Sequence, residues 1–209
     1  MSERNLDSLG RRDAEGQCVP SGQTGGSIDI VSEIPAHVGA REALLDRSFG
    51  PDRFTKTSER LREGRLPAFA FTALNEDEEL VGTVRLWNVE DGNGWGALLL
   101  GPLAVETECR SQQVGGRLMR HALNQAAMAG HGAVILVGDY AYYQRFGFAR
   151  GLLEDVTMPG TLERDRFLAI ELQEGYLSGF AGCLVATGEP DLATARGRKA
   201  SRPLYKRVA

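Results

Sequence analysis

Long apolar runs are missing from this chain. No stretch approaches the length of a membrane-spanning helix, and the N-terminus lacks the apolar core expected of a secretory signal peptide. Cysteine is scarce too. Cys18, Cys109 and Cys183 are far apart and odd in number, which makes neither a disulfide framework nor a zinc-ligand spacing and fits reduced thiols in a cytoplasmic protein. Positive charge is not in excess: the formal net charge is −4, so the chain as a whole gives no reason to expect nucleic acid as a partner. No internal repeat is present. What remains is an ordinary globular balance, 42% hydrophobic and 25% charged over 209 residues, enough for one domain with a sizeable core.

The two ends differ from the middle. Residues 1–26 mix both charge signs with Ser, Gly and Gln and show no helical or strand period, so they read as a disordered leader or extension. From Ala193 onward the chain carries Arg196, Arg198, Lys199, Arg202, Lys206 and Arg207 without one acidic residue. Residues 188–209 are therefore expected as a basic, solvated C-terminal tail, with docking on the acidic remainder or on a symmetry mate in a homodimer left open. The folded domain is expected at 27–187.

Within it, Ile28, Ile30 and Ile34 suggest a first strand ending before Pro35. Val38, Ala40, Ala43, Leu44 and Leu45 suit a short helix that Gly50-Pro51 breaks, and a second helix is expected over 52–63, with Asp52 near its start and Gly64 after its end. AFAFTAL (68–74) and LVGTVRLWNV (80–89) read as hairpin strands, and Asp91-Gly92-Asn93-Gly94 as the next turn. RFLAIEL (166–172) reads as a late strand, 175–182 as a turn and CLVAT (183–187) as the last strand.

The most informative stretch lies between these, from Leu98 to Phe148. LLLGPLAV is a nearly continuous apolar strand in which Gly101-Pro102 predicts a bulge or bend, because Pro cannot donate to a ladder. A polar loop, 106–116, leads to a helix with Val114, Leu118, Met119, Ala122, Leu123, Ala126 and Ala127 on one face, stopped by Gly130 and Gly132. AVILV (133–137) is a short buried strand. Strand, loop, helix, strand makes a right-handed βαβ unit, and three antiparallel strands before it imply an α/β or α+β sheet of mixed direction. The loop opening the helix leaves amide N–H groups without partners in the helix. Gly115 and Gly116 leave room there, and Arg110 and Arg117 add charge, which suits a phosphate as well as a plain turn.

Leu103-Ala104-Val105, the loop from Arg110 to Gly115 and the run Gly138-Asp-x-x-Tyr-Tyr-x-Arg-Phe-Gly-Phe148 together resemble the GNAT family of acyl-CoA-dependent N-acetyltransferases, in particular a bacterial branch carrying that last run. Arg110 fills the first and Gly115 the last position of the family's pyrophosphate loop, while Gln113 stands where its first Gly is expected. The resemblance implies a mostly antiparallel central sheet with flanking helices and a splayed parallel strand pair. It implies acetyl-CoA as co-substrate, an amine acceptor, direct attack in a ternary complex and no metal. It places Leu103, Ala104 and Val105 along the pantetheine arm and Arg110, Ser111, Gln112, Gln113, Val114, Gly115, Gly116 and Arg117 at the phosphates. Tyr143 becomes the candidate general acid, since a phenol with pKa near 10 can give a proton to a departing thiolate within hydrogen-bond reach. Packing on the sheet is its other reading.

For the general base the sequence offers Glu90, Asp91, Glu106 and Glu108 without choosing among them. His121, on the polar face of the helix, His131 in the turn after it and Cys109 beside the loop read as solvated, structural and packed groups respectively. Asp139 reads as a helix cap. If Gln113 must take a positive φ, strain of about 1 kcal/mol is expected. A non-catalytic acyl-CoA sensor and an interaction protein using the basic tail are the alternatives to the enzyme.

Overall fold

Residues 27–192 are described in this computed structural model. In chain order they form β1 (Asp29–Ser32), α1 (Val38–Phe49), β2 (Phe69–Leu74), β3 (Leu80–Glu90), β4 (Gly96–Val105), α2 (Val114–Met128) and β5 (Ala133–Val137). After these come α3 (Tyr140–Tyr143), β6 (Val156–Thr157), β7 (Phe167–Glu171), β8 (Gly182–Cys183) and β9 (Val185–Ala186). The main sheet has the order β1-β2-β3-β4-β5-β7, with β9 pairing the far end of β3. Every pairing in it is antiparallel except β4 with β5.

Both faces of this sheet are covered, which is why its central strands read as continuous apolar runs rather than alternating ones. Alternation survives as a division between two cores. Leu98 and Leu100 of β4 pack under α2 with Leu118, Met119 and Ala122, whereas Ala97 and Leu99 face the opposite layer with Trp87, Ile135, Phe167 and Phe180. On the α2 stripe, Ala127 is exposed, unlike the rest of its expected face, because the apolar arc of α2 ends at Ala126.

Two further expectations are corrected. The helix expected over 52–63 is instead two short 3₁₀ turns, Pro51–Thr55 and Thr57–Leu61, separated by extended backbone at Lys56 (φ −64°, ψ 140°). Tertiary ties override helical propensity here: the Thr57 hydroxyl donates to the Thr161 carbonyl at 2.7 Å and Arg60 to that of Pro159 at 2.8 Å. The last strand is divided at the buried Leu184: β8 runs parallel to β6 in a small second sheet, while β9 returns to β3. After it, residues 188–191 lie along the segment 64–66, with Leu66 N donating to the Glu189 carbonyl and Asp191 N to that of Gly64. The expected leader, 1–26, and the basic run from Ala193 lie outside the described residues. Among the described residues, no helix is long and apolar enough to cross a membrane.

Candidate active site

The parallel pair β4–β5 joins only at Leu98 opposite Val134 and Leu99 opposite Ile135, although β4 continues to Val105 and β5 to Val137. Beyond that point the strands separate, and a cavity of about 890 Å³ opens between them. The bulge at Gly101-Pro102 helps produce the divergence. Val84 faces Leu103 and Leu86 faces Leu100, so two residues of β4 stand opposite Arg85 alone and the strand bends. The Trp87 indole Nε1 donates to the Gly101 carbonyl at 2.7 Å and fixes the bend.

One wall of the cavity is the start of α2. A 3₁₀ turn over Thr107–Gln112 delivers the chain to Gln113, which sits in the left-handed region (φ 58°, ψ 18°), and α2 begins at the next residue. The positive φ anticipated as a source of strain is therefore present at a non-glycine residue. The first-turn amides of α2 have no acceptor within the helix and open onto the cavity beside Gln113, Gly115 and Gly116. Gly115 cannot carry a side chain as packed: a Cβ there would stand 2.8 Å from the Tyr142 hydroxyl. Arg110 and Arg120 line the same wall, and among the described residues neither has an ion-pair partner.

The far end is closed by α3, and here the Gly-Asp-x-x-Tyr-Tyr run has a physical content. Gly138 makes room for the ring of Tyr143, whose Cε2 lies 2.2 Å from where a Cβ would be. Asp139 caps α3, its Oδ1 accepting from Ala141 N at 3.0 Å. Phe148 is buried in the α2-side core and meets the Tyr143 ring edge-on at 5.9 Å. The Tyr143 hydroxyl has no hydrogen-bond partner among the described residues. Burial, reinforced by Tyr142, pushes its phenol up to about 12, above the value near 10 expected for a free tyrosine.

The opposite wall comes from the end of α1 and the 3₁₀ turns, through Ser48, Phe49, Lys56, Ser58, Glu59 and Arg62. Arg62 is 9% exposed; its Nε donates to the Ser58 carbonyl at 3.1 Å and its Nη2 to the Ser58 hydroxyl, with Glu59 Oε2 3.6 Å from Nε. Burial pushes the Arg62 guanidinium down from its ordinary value. In the same wall Arg53 is held by Glu42 and Asp46, Glu42 also binds Arg41, and Arg41 shares Glu33 with Arg85. This ion-pair chain runs from the sheet to the cavity and anchors the wall.

Of the residues expected at the site, Leu103, Ala104, Val105, Arg110, Gln113, Gly115, Gly116 and Tyr143 meet at this cavity. Ser111 and Gln112 are exposed and do not line it, Val114 is buried in the core, and the Arg117 guanidinium donates to the Ile28 carbonyl. The acidic residues considered as bases lie elsewhere. Asp91, 3% exposed, accepts from the backbone N–H groups of Asn93, Trp95 and Ala181, which hold its carboxyl low although burial works the other way. Glu106 pairs with Arg47, and together with Glu108 it borders a separate depression with His37 and Cys109. Glu90 does not line the cavity, whose carboxylates are Glu59 and Asp139. His121 is half-buried against Phe71 at 4.6 Å rather than solvated; His131 packs on Phe69, and burial lowers its pKa. Cys109 is partly buried and its thiol is raised by burial and by Glu108 and Glu106. Sequence reasoning missed Lys56, Glu59, Arg62 and Arg120. Only Arg120 left a signal, four residues after Gly116 and so on the same helical face.

A family model for the acetyltransferase (GNAT) domain matches residues 67–150. The chain is 31% identical over 153 residues to the Escherichia coli (strain K12) protein YhbS, described as an uncharacterized N-acetyltransferase, covering 72% of this chain and 90% of that one. The crystal structure of the E. coli GNAT family N-acetyltransferase YhbS in complex with CoA superposes with a TM-score of 0.67 at 29% identity, over 78% of this chain and 91% of that one. A Brucella melitensis GNAT family acetyltransferase crystallised with acetyl-CoA has the same fold, with a TM-score of 0.55 at 20% identity over 79% and 94% of the two chains.

Proposed function

The chain belongs to the GNAT family of acyl-CoA-dependent N-acetyltransferases, and we propose that the cavity between β4 and β5 takes acetyl-CoA along the α2 wall and the acceptor amine along the α1 wall. The residues present suit the co-substrate. The first-turn amides at Gln113–Gly116, with the unpaired cations Arg110 and Arg120, suit a pyrophosphate. The edge of β4 left free by the divergence, Leu103 to Val105, suits the amides of a pantetheine arm, and an N–H of that edge can polarise an acetyl carbonyl. When bound, acetyl-CoA supplies a thioester carbon for the amine to attack and a sulfur that leaves. Among the described residues, no group of His, Cys, Asp and Glu could hold a metal ion.

Tyr143 holds a proton at its Oη for the sulfur. Its pKa of about 12 lies roughly 3.5 pH units above an ordinary thiol, so full proton transfer to an ordinary thiolate would run uphill by about 5 kcal/mol. The phenol therefore acts first as a hydrogen-bond donor, strengthening as negative charge grows on the sulfur, and not as an early proton source. Asp139 is committed to its cap, which leaves Glu59 to accept the amine's proton. A cytoplasmic location is part of this reading; among the described residues Cys109 and Cys183 are not paired with each other.

The early end of β4–β5 pairing beside the start of α2 is the observation that carries this reading. Calorimetry is expected to give one acetyl-CoA per chain, and a thiol-release screen across amines is expected to find turnover. Tight binding with no amine turned over would favour the sensor; no binding at all would leave the interaction protein.

A further inference from the structure

Resting on the acetyltransferase reading, we propose that the acceptor amine carries an anionic group, a carboxylate or a phosphate, and that Arg62, with Lys56 on the same wall, receives that group. The distribution of charge is the first argument. A chain of net charge −4 lines its main cavity with seven Arg and Lys side chains and only two carboxylates. The anionic co-substrate accounts for the cations on the α2 and α3 side, Arg110, Arg120, Arg145 and Arg166, the last also paired with Glu163 at 3.5 Å. It does not account for those across the cavity.

On that far wall the cations are not equivalent. Arg53 is already neutralised by Glu42 and Asp46 and serves to hold the wall. Arg62 is different. Its Nε and Nη2 are spent on Ser58, while Nη1 points at the bend in β4, 3.9 Å from where a Cβ of Gly101 would lie. The bend adjoins the β4 edge assigned to the acetyl-bearing arm, so this guanidinium stands where the acceptor must approach. Its acidic neighbour among the described residues, Glu59, approaches Nε at 3.6 Å. A guanidinium kept in a desolvated position with such incomplete compensation is a site awaiting an anion. Lys56 lies over the Phe49 ring at 4.7 Å on the same wall. The same field repels polycationic amines, so the wall selects against them as well as for an anion. Glu59 beside Arg62 places the group that takes the amine's proton next to the group that binds its anion, the arrangement a small amino acid or a phosphorylated amine requires.

The test uses the full-length protein, its acetyl-CoA affinity measured first, in a thiol-release assay with matched acceptors. Alanine is compared with alaninamide, O-phosphoethanolamine with ethanolamine, and spermidine serves as the polycation, with rates corrected to the neutral-amine fraction. At least one anionic acceptor is expected to exceed its neutral twin by about tenfold or more in kcat/KM. The alanine and phosphoethanolamine arms distinguish a carboxylate from a phosphate. Arg62→Gln is expected to raise the KM of the preferred acceptor by about tenfold while the acetyl-CoA Kd stays unchanged. Because Arg62 is buried, the exposed-side variant Lys56→Gln provides a second reading, raising the same KM several-fold. Preference for a neutral twin or for spermidine, or no turnover of any anionic amine by protein that binds acetyl-CoA, would overturn the proposal and leave the co-substrate reading standing. Loss of acetyl-CoA binding in the native protein would overturn that reading itself.

Discussion

The two walls of the cavity are built from different materials. The α2 wall is made largely of main chain, the free edge of β4, the first-turn amides of α2 and glycines that let side chains such as Tyr142 lie close, with Arg110 and Arg120 beside them. The α1 wall is made of side chains, with Arg62 on Ser58 and Arg53 held by Glu42 and Asp46. Main-chain donors survive most substitutions, because nearly every residue offers the same N–H, and they suit a partner that does not change. Side-chain cations are altered by one mutation, and they suit the partner that distinguishes one enzyme of a fold from another. Tyr143 stands at the junction, carried by α3 between the two.

The largest effect is expected at that junction. Tyr143→Phe keeps the ring that meets Phe148 and removes only the donor, so kcat is expected to fall by about 10² to 10³, or roughly 3 to 4 kcal/mol, with acetyl-CoA affinity unchanged. Steady-state kinetics at saturating substrate reads it; an unchanged kcat with chemistry rate-limiting would make the tyrosine a packing residue. The pH dependence has a definite sign. Because the folded-state pKa is raised to about 12, the phenol keeps its proton throughout the neutral range. The stabilisation of its neutral form is fully present below about pH 10 and is lost only as pH climbs through about 12. An alkaline fall in kcat centred well below that value, and abolished by Tyr143→Phe, would contradict the assignment.

A second variant weakens the platform of the main-chain wall without touching it. Leu118 is fully buried where α2 meets the sheet, and Leu118→Ala is expected to cost about 2 to 5 kcal/mol of stability in denaturant unfolding. Below its midpoint the variant is expected to bind acetyl-CoA nearly normally, since the amides remain in place. Severe loss of binding without loss of stability would mean that the helix start is not held by this core.

The smallest effect concerns Gln113. Its left-handed backbone strains a non-glycine residue, so Gln113→Gly is expected to gain at most about 0.5 kcal/mol after the extra chain entropy of glycine is counted. Thermal denaturation measures this, and acetyl-CoA affinity is expected to hold because the amides stay. A loss of stability would show that the Gln113 side chain holds the loop.

The same difference in materials decides how much was legible in the sequence. β4, α2 and β5 have local signatures: the apolar run with Gly101-Pro102, the stripe from Val114 to Ala126 and the five residues of AVILV. Glycines recorded close approaches, and Gly138 with Asp139 encoded both the position and the cap of α3. The α1 wall had no such signature. Its 3₁₀ turns have no period to detect, and they exist because Thr57 and Arg60 bond to carbonyls about a hundred residues away. Arg62 could not be told from the chain's other arginines until Ser58 and the bend in β4 were set beside it. Asp91 shows the converse error. An acidic residue in a turn looked chemically available, yet a partner ninety residues on, Ala181 N, makes it structural.

The division between the walls is tested most directly by isothermal titration of acetyl-CoA into the native protein, Gly115→Val and Lys56→Gln. A valine side chain at position 115 collides with the Tyr142 hydroxyl and intrudes on the first-turn amides, so its Kd is expected to rise by at least about tenfold, or 1.4 kcal/mol. Lys56→Gln, on the other wall, is expected to leave that Kd as in the native protein. Equal affinities for the native protein and Gly115→Val, or a weakening confined to Lys56→Gln, would contradict the placement of acetyl-CoA on the main-chain wall.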